Sequence, residues 1–300
     1  MFALIDISPL LFTLSVVAFC SCSGNSGAET RMGTDTDTDT IPYAVKELMR
    51  SVTDNDSAAF ARIVSYPLER PYPLRDIEDS VQMKSYYSTL VDDSLHSVIS
   101  KASSGDWESA GWRGWSMRKG DYVWVDESVY EIPYMSKKEM SDRHKLAALE
   151  IKSLSPDLRG PWIPEGCLID NNNGTIYRID SDSTITDDGV AEKPMYRLAI
   201  YRKGDNLRKR PAKVLKGHKH TEGSAGGFSY IFSEAGIAQS DSATYMIEAY
   251  GEEDGRPSLY HRKQKHPLSR IYWLDEISKD SMTNKALKTE KRHKTNKAQK

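Results

Sequence analysis

The sequence has no excess of charge of either sign, since its 41 lysines and arginines oppose 43 aspartates and glutamates, for a formal net charge of −2. Proteins that bind nucleic acids through phosphate contacts usually carry a marked excess of positive charge. The overall charge therefore gives no indication of a nucleic acid partner, and we expect none.

The sequence also lacks the motifs that identify common catalytic centres. It contains no Gly-x-Ser-x-Gly, no His-Glu-x-x-His and no carboxylate pair in a recognisable setting. Its only glycine-rich loop, at residues 223–227, has neither the Lys-Ser/Thr ending of a P-loop nor the spacing of a dinucleotide-binding loop. We therefore expect no cofactor and favour a non-catalytic protein over an enzyme.

No apolar run is long enough to span a membrane. The longest, at residues 10–19, covers about ten residues, whereas a membrane helix needs roughly 18–20. Small polar residues follow this run at positions 23–27. This combination is typical of a secretory signal, so we predict that residues 1–21 are a signal peptide and that the protein is exported.

Cys22 lies directly after this apolar segment and is preceded by the small residue Ser21. The arrangement resembles the lipobox of bacterial lipoproteins, in which the cysteine is acylated and becomes the mature N-terminus. The resemblance implies lipidation of Cys22, membrane lipid as a partner and a location in the bacterial cell envelope. The alternative is a plain secretory signal that is cleaved nearby.

Cysteine is scarce, with three in the whole chain. If the mature protein begins at Cys22, Cys20 is removed and Cys167 has no disulfide partner. A mature chain of this length buries enough apolar surface to fold without a disulfide. We therefore expect Cys167, which stands among apolar neighbours, to be a buried small hydrophobic residue.

Two segments contain almost nothing that a core could bury. Residues 35–39 read DTDTD within a Thr/Asp repeat, so we predict that residues 22–40 form a flexible tether. Residues 278–300 are rich in lysine and arginine and are predicted to be a basic disordered tail.

Residues 41–102 have the apolar spacing of helices, as in Phe60, Ile63 and Val64. Beyond Trp112 the pattern changes to short strands joined as in a hairpin. This order resembles the NTF2-like (SnoaL-like) α+β cone over residues 43–134. The segments that carry the resemblance are ARIVSYPL, MKSYYSTLVDDSLHSVI and WRGWSMRKGDYVWVD. We therefore expect an NTF2-like α+β domain at residues 41–135.

Ser136 and Glu139 have the spacing of a capping box and predict the start of a helix. We expect this helix, at residues 136–155, to link two halves of the protein. Its apolar residues Met140, Ala147, Ile151 and Leu154 are expected to face a core.

From Trp162 onward the pattern is that of β-structure. Asn173-Gly174 lies between two apolar runs and is a strong hairpin signal. Further strands with glycine-rich breaks predict an antiparallel sandwich or barrel over residues 156–277. The predicted fold class is thus α+β, with an NTF2-like N-terminal domain followed by an antiparallel all-β domain.

Four tryptophans lie close together in the sequence, at Trp107, Trp112, Trp115 and Trp124. Aromatic faces can stack on sugar rings, but a small fold also uses aromatic residues to fill its core. We favour the core for most of this group and retain Trp112, Trp115 and Trp124 as candidate ligand contacts.

His218 and His220 alternate along a predicted strand, so both side chains should project from one face. Lysines and arginines surround them and would repel a metal ion, so we predict no metal site. We retain His218, His220 and Arg262 as candidate ligand contacts, in a cationic patch with Lys219 and His266 that suits an anionic glycan. The alternative is a solvated strand face.

Three functions remain open from the sequence. We favour a non-catalytic binding or assembly module of the cell envelope, which recognises a glycan or a protein partner. The second hypothesis is an NTF2-like enzyme that uses Asp92, Asp93 or His96 in the N-terminal cone. The third is a structural envelope protein without a specific ligand.

The lipid anchor can be tested directly. A Cys22→Ala variant is expected to leave the membrane fraction, because it lacks the thiol that would be acylated. Cell fractionation and mass spectrometry of the mature N-terminus measure this, with Cys20→Ala as the matched control. A Cys22→Ala variant that stays membrane-bound like the natural protein would contradict the assignment.

Overall fold

Residues 41–279 are described by the computed structural model, except for gaps at 183–193, 223–226, 235–243, 249–256 and 262–263. The described residues all belong to one compact unit of the chain. Cys22 and Arg262, two of the residues selected from the sequence, lie outside the described residues. The predicted signal peptide and tether, as well as most of the predicted basic tail, also lie outside them.

Four helices open the described chain, and three of them begin at an aspartate. The side chains of Asp56, Asp79 and Asp92 accept hydrogen bonds from backbone amides in the first turns of the second, third and fourth helices. These aspartates satisfy amides that have no partner within the helix. The four helices are α1 (Tyr43–Thr53), α2 (Ser57–Ile63), α3 (Ser80–Leu90) and α4 (Asp93–Ser100).

A small antiparallel sheet follows the helices, with its four strands in sequence order. Its apolar side chains, including Met117 and Val125, share one core with Leu48, Phe60 and Met83 of the helices. The predicted combination of helices and an aromatic-rich antiparallel sheet is therefore present. The strands are β1 (Trp107–Ser109), β2 (Trp115–Met117), β3 (Trp124–Val125) and β4 (Val129–Glu131).

Helix α5 (Lys137–Ser153) begins with the predicted capping box. The Ser136 hydroxyl accepts a hydrogen bond from the Glu139 amide, and the Glu139 carboxylate accepts one from the Ser136 amide, both at 3.1 Å. The expected apolar face is wrong in part, since Met140 is 39% exposed although Leu154 is buried. The buried residues within this helix are Glu139 and Glu150.

The second half of the chain is a closed antiparallel barrel of eight strands, each paired with the next, and the last strand pairs with the first. The predicted Asn173-Gly174 turn connects the first two strands, and Gly174 has the positive φ that such a turn requires. The strands are β5 (Trp162–Asp170), β6 (Ile176–Asp182), β7 (Met195–Tyr201), β8 (Lys213–Glu222), β9 (Gly227–Ser233), β10 (Tyr245–Glu248), β11 (Ser258–His261) and β12 (Gln264–Arg270).

Both faces of β6 and β7 are buried over nearly their whole length, and the residues of β5 are buried or half-buried. One face of each strand points into the barrel, where every strand contributes an apolar side chain. The outer face of β5 to β7 is covered by α5 and by a short helix, α6, at residues 273–279. Cys167 is fully buried in this outer layer, as the sequence predicted, and Trp273 of α6 packs there against Tyr201.

A buried ion pair joins α5 to the loop between α2 and α3. Arg70 donates two hydrogen bonds of 2.9 Å to the Glu139 carboxylate, and both side chains are fully buried. The same guanidinium also donates to the backbone carbonyls of Ile132 and Tyr134. Arg70 thereby connects the α2–α3 loop, the end of the small sheet and the start of α5.

A second buried network joins α5 to the outside of the barrel. Glu150 pairs with Arg178 at 2.7 Å, Arg178 pairs with Asp180 at 2.8 Å, and Asp180 pairs with Arg197 at 2.9 Å. The Tyr72 hydroxyl also donates a hydrogen bond to Glu150. Because acidic and basic groups alternate, the network is electrically balanced beneath the helix.

Replacing Arg70 with methionine is expected to lower the free energy of unfolding by about 3–5 kcal/mol, because Glu139 would remain as an unpaired buried charge. Urea denaturation followed by circular dichroism measures the loss. The matched control is Arg75→Met, which removes an exposed pair with Asp275 that contributes about 0–1 kcal/mol. Equal losses of unfolding free energy in the two variants would contradict the role of Arg70 as the partner that neutralises buried Glu139.

Candidate functional site

A cleft of about 620 Å³ lies where one end of the barrel meets the helical part of the chain. Residues from 67–72 and 130–133 form one wall. The barrel forms the other wall with side chains from β5, β8, β9 and β12. Antiparallel pairing brings the starts of β5 and β9 to the same barrel end as the ends of β8 and β12.

Aromatic rings line both walls of this cleft. Phe228 and Tyr230 project from the inner face of β9, and their rings make an edge contact with centroids 5.4 Å apart. Tyr72 and Tyr130 face them from the helical part. Tyr72 and Tyr230 are buried, so the rings partly open to a ligand are those of Phe228 and Tyr130, on which a sugar or another ring can stack.

Two of the four cations in the cleft are already used by the fold. Arg70 binds Glu139, as described above, and Arg270 pairs with Asp76 at 2.8 Å while also donating to the backbone carbonyl of Arg70. These two guanidiniums hold the walls together. They are therefore poor candidates for binding a ligand.

Lys219 and Arg143 are the two remaining cations, and neither forms a salt bridge within the described ranges. The Lys219 side chain is accessible to solvent, and its ammonium lies 3.6 Å from the centroid of the Phe228 ring. Partial desolvation by the cleft lowers the pKa of Lys219, while the nearby Glu165 opposes this effect. Arg143 uses its Nε to bind the Tyr72 carbonyl at 2.8 Å. The Lys219 ammonium and the Arg143 guanidinium can therefore both contact an anionic group of a ligand in the cleft.

Three glutamates complete the cleft. Glu165 lies at an irregularity in the β5–β6 register and accepts a hydrogen bond from the Ser181 hydroxyl. Glu131 is an exposed residue at the end of β4. The protein atoms around its carboxyl group nevertheless desolvate that group in part, and this desolvation raises its pKa. Glu69 raises the pKa of Glu131 further, whereas Arg113 lowers it. The carboxylates give the cleft mixed rather than purely positive charge.

This arrangement is suited to binding. Stacking rings and cations outside the fold's own ion pairs can hold a ring-containing ligand with an anionic group. Across the part of the chain that the structure describes, no three His, Cys, Asp or Glu side chains are grouped to hold a metal ion. Serine, threonine, cysteine and histidine are absent from the described residues that line the cleft.

The tryptophans selected from the sequence lie away from this cleft. Trp107 is buried in the helical core, and Trp115 packs against that core. Trp124 is half-buried beneath the Arg113 guanidinium, which lies 4.1 Å from its ring centroid. Trp112 is 82% exposed. The preference for a core role thus holds for Trp107, while Trp112 and Trp115 border two smaller pockets.

The structure describes four residues of the cationic patch expected around His218 and His220, and it places them on two different faces of the barrel wall. These two histidines do share one face of β8, but that is the outer face, whereas Lys219 between them contacts Phe228 on the inner side. His266 lies on the inner face of β12 and pairs with Asp170 at 3.1 Å. Because side chains alternate between the two faces of a strand, His218 and His220 point to the outside of the barrel, whereas Lys219 and His266 point to its inside.

Of the residues suggested for an enzyme, Asp92 has a structural role, and Asp93 and His96 lie outside the lining of the barrel-mouth cleft. Asp92 caps α4 and accepts further hydrogen bonds from the Tyr134 hydroxyl and the Lys137 amide. Asp93 is exposed in the first turn of that helix. His96 is half-buried and lines neither the cleft nor the two smaller pockets beside Trp112 and Trp115.

Sequence reasoning missed the residues that line the cleft, although one signal was available. Alternation along β8 separates Lys219 from both histidines, and the same rule puts Phe228 and Tyr230 on one face of β9. A closed barrel would then direct the side chains of Lys219, Phe228 and Tyr230 towards its interior. Nothing local to Arg143 or Glu131 indicates that either residue faces the barrel.

No protein-family model matches this sequence, and neither a curated protein nor a solved structure matches it. Among the helices of the described residues, none has both the length and the apolar character needed to cross a membrane.

The electrostatics of the cleft can be tested through Glu131. Replacing Glu69 with glutamine should lower the pKa of Glu131, because a neighbouring negative charge is removed. Replacing Arg113 with glutamine should raise it, because a favourable positive charge is lost. NMR titration of the Glu131 carboxyl carbon measures both shifts. A pKa that responds to neither substitution would contradict the placement of Glu69 and Arg113 close to the Glu131 carboxyl group.

Proposed function

We propose that this protein is an exported bacterial lipoprotein that acts as a non-catalytic binding module of the cell envelope. In this proposal Cys22 carries the acyl chains that hold it to the membrane. The barrel-mouth cleft binds an envelope glycan that carries carboxylate groups. The helical part, residues 41–135, is proposed to be an NTF2-like domain.

One observation carries the binding proposal: Lys219 and Arg143 line a cleft with aromatic rings but form no salt bridge within the described part of the chain. By contrast, the buried cations Arg70 and Arg178 each have a carboxylate partner. A carboxylated sugar supplies both complementary groups, an anion for the cations and a ring for the aromatic faces.

The size and setting of the cleft also support a binding role. A volume of about 620 Å³ falls within the range of roughly 300–1,000 Å³ that is usual for small-ligand pockets. The walls come from two parts of the chain joined by buried ion pairs. A site between such parts is pre-formed, which lowers the entropic cost of binding.

The proposal is tested by titrating the full-length protein with a galacturonic acid tetrasaccharide in a calorimeter. The neutral galactose tetrasaccharide serves as the comparison ligand. Lys219→Ala should weaken binding of the acidic sugar roughly tenfold, because a charge-assisted hydrogen bond is lost. Lys216→Ala is the matched control, since Lys216 is exposed on the opposite face of the same strand.

The control should change the affinity less than about twofold, which is within the usual effect of an exposed charge. Equal weakening by the two variants would indicate general charge attraction and would contradict binding in the cleft. No binding of either sugar would instead favour a structural envelope protein without a glycan ligand.

A further inference from the structure

A second pocket, of about 400 Å³, lies at the start of α1 and shares no lining residue with the barrel-mouth cleft. Tyr43 and Trp115 supply its aromatic surfaces, and Asp126 and Glu127 supply its carboxylates. We call this the acidic aromatic pocket. The remaining lining residues are Pro42, Ala44, Gly111 and Gly114.

The backbone near Gly114 sets the shape of this pocket. Gly114 has a φ of +79°, and a Cβ at this position would lie 2.4 Å from the Val125 carbonyl oxygen. Only glycine therefore lets the turn before β2 lie this close to the end of β3. This close approach holds Trp115 beside Asp126 and Glu127, so the pocket is built by the fold itself.

The aromatic residues of this region are unusually exposed. Tyr43 is 76% exposed at the first position of α1, and Trp112 is 82% exposed on the neighbouring turn. Trp112 borders an adjoining pocket of about 360 Å³ that shares Asp126 and Glu127. Both rings therefore lie outside the core and are accessible to a partner.

The charge of the pocket is negative. The side chains of Asp126 and Glu127 form no hydrogen bond or salt bridge within residues 41–279 as described. Arg113 lies in the adjoining pocket, but its guanidinium stacks on Trp124. The acidic aromatic pocket itself has no lysine or arginine in its lining.

We propose that the acidic aromatic pocket binds the ammonium or guanidinium group of a basic peptide segment on a partner protein. A cation is attracted to the face of an aromatic ring and also forms charge-assisted hydrogen bonds with carboxylates. Tyr43 and Trp115 offer the rings, while Asp126 and Glu127 offer the anions. This site is independent of the glycan cleft, which takes a ligand of the opposite charge.

The probe is a capped tetralysine peptide, and a capped tetraglutamate peptide is the comparison. Binding to the full-length protein is followed by calorimetry at low and high salt. The Asp126→Asn/Glu127→Gln variant should weaken tetralysine binding roughly threefold to tenfold, because each exposed ion pair contributes modestly. Tyr43→Ala should weaken it about threefold through loss of the cation–π contact.

The matched control is Glu108→Gln/Asp121→Asn, which removes one glutamate and one aspartate that are exposed and do not line the pocket. This control should change the affinity less than about twofold. Equal weakening in the two double variants would mean that tetralysine responds to overall charge, and this result would overturn the proposal. Unchanged affinity in Tyr43→Ala together with Asp126→Asn/Glu127→Gln would overturn it as well.

Discussion

The architecture depends on two glutamates that lie on one face of α5, about three helical turns apart. Glu139 is paired with Arg70, and Glu150 is paired with Arg178, with all four side chains buried. A buried charge without its partner costs several kcal/mol, so α5 is stable only where both pairs form together. This requirement sets the rotation and the axial position of the helix between the small sheet and the barrel.

The barrel-mouth cleft follows from that arrangement. Arg70 lies in the segment that forms one wall, and Arg143 projects into the cleft from α5 between the two glutamates. Arg270 joins the barrel to the same segment through Asp76 and the Arg70 carbonyl. The cations that hold the walls are thus neutralised by the fold, which distinguishes them from Lys219 and Arg143.

The local features of the fold were predictable because their signals act within a few residues. The Ser136 capping box and the Asn173-Gly174 turn both lie where the sequence indicates. The buried face of α5 was not predictable from apolar periodicity, which assumes that hydrophobic residues face the core. On this helix glutamates are buried instead, because arginines from elsewhere in the chain neutralise them.

By itself, the sequence determined the order of helices and strands, the antiparallel character of the second half and the common strand face of His218 and His220. These properties depend on spacing along the chain. Only the tertiary structure decided that the strands close into a barrel and that Lys219 meets the wall containing Glu131. The closure of the barrel and the approach of its mouth to the helical part depend on contacts between residues far apart in sequence. No local sequence pattern indicates which buried charged residues will form pairs.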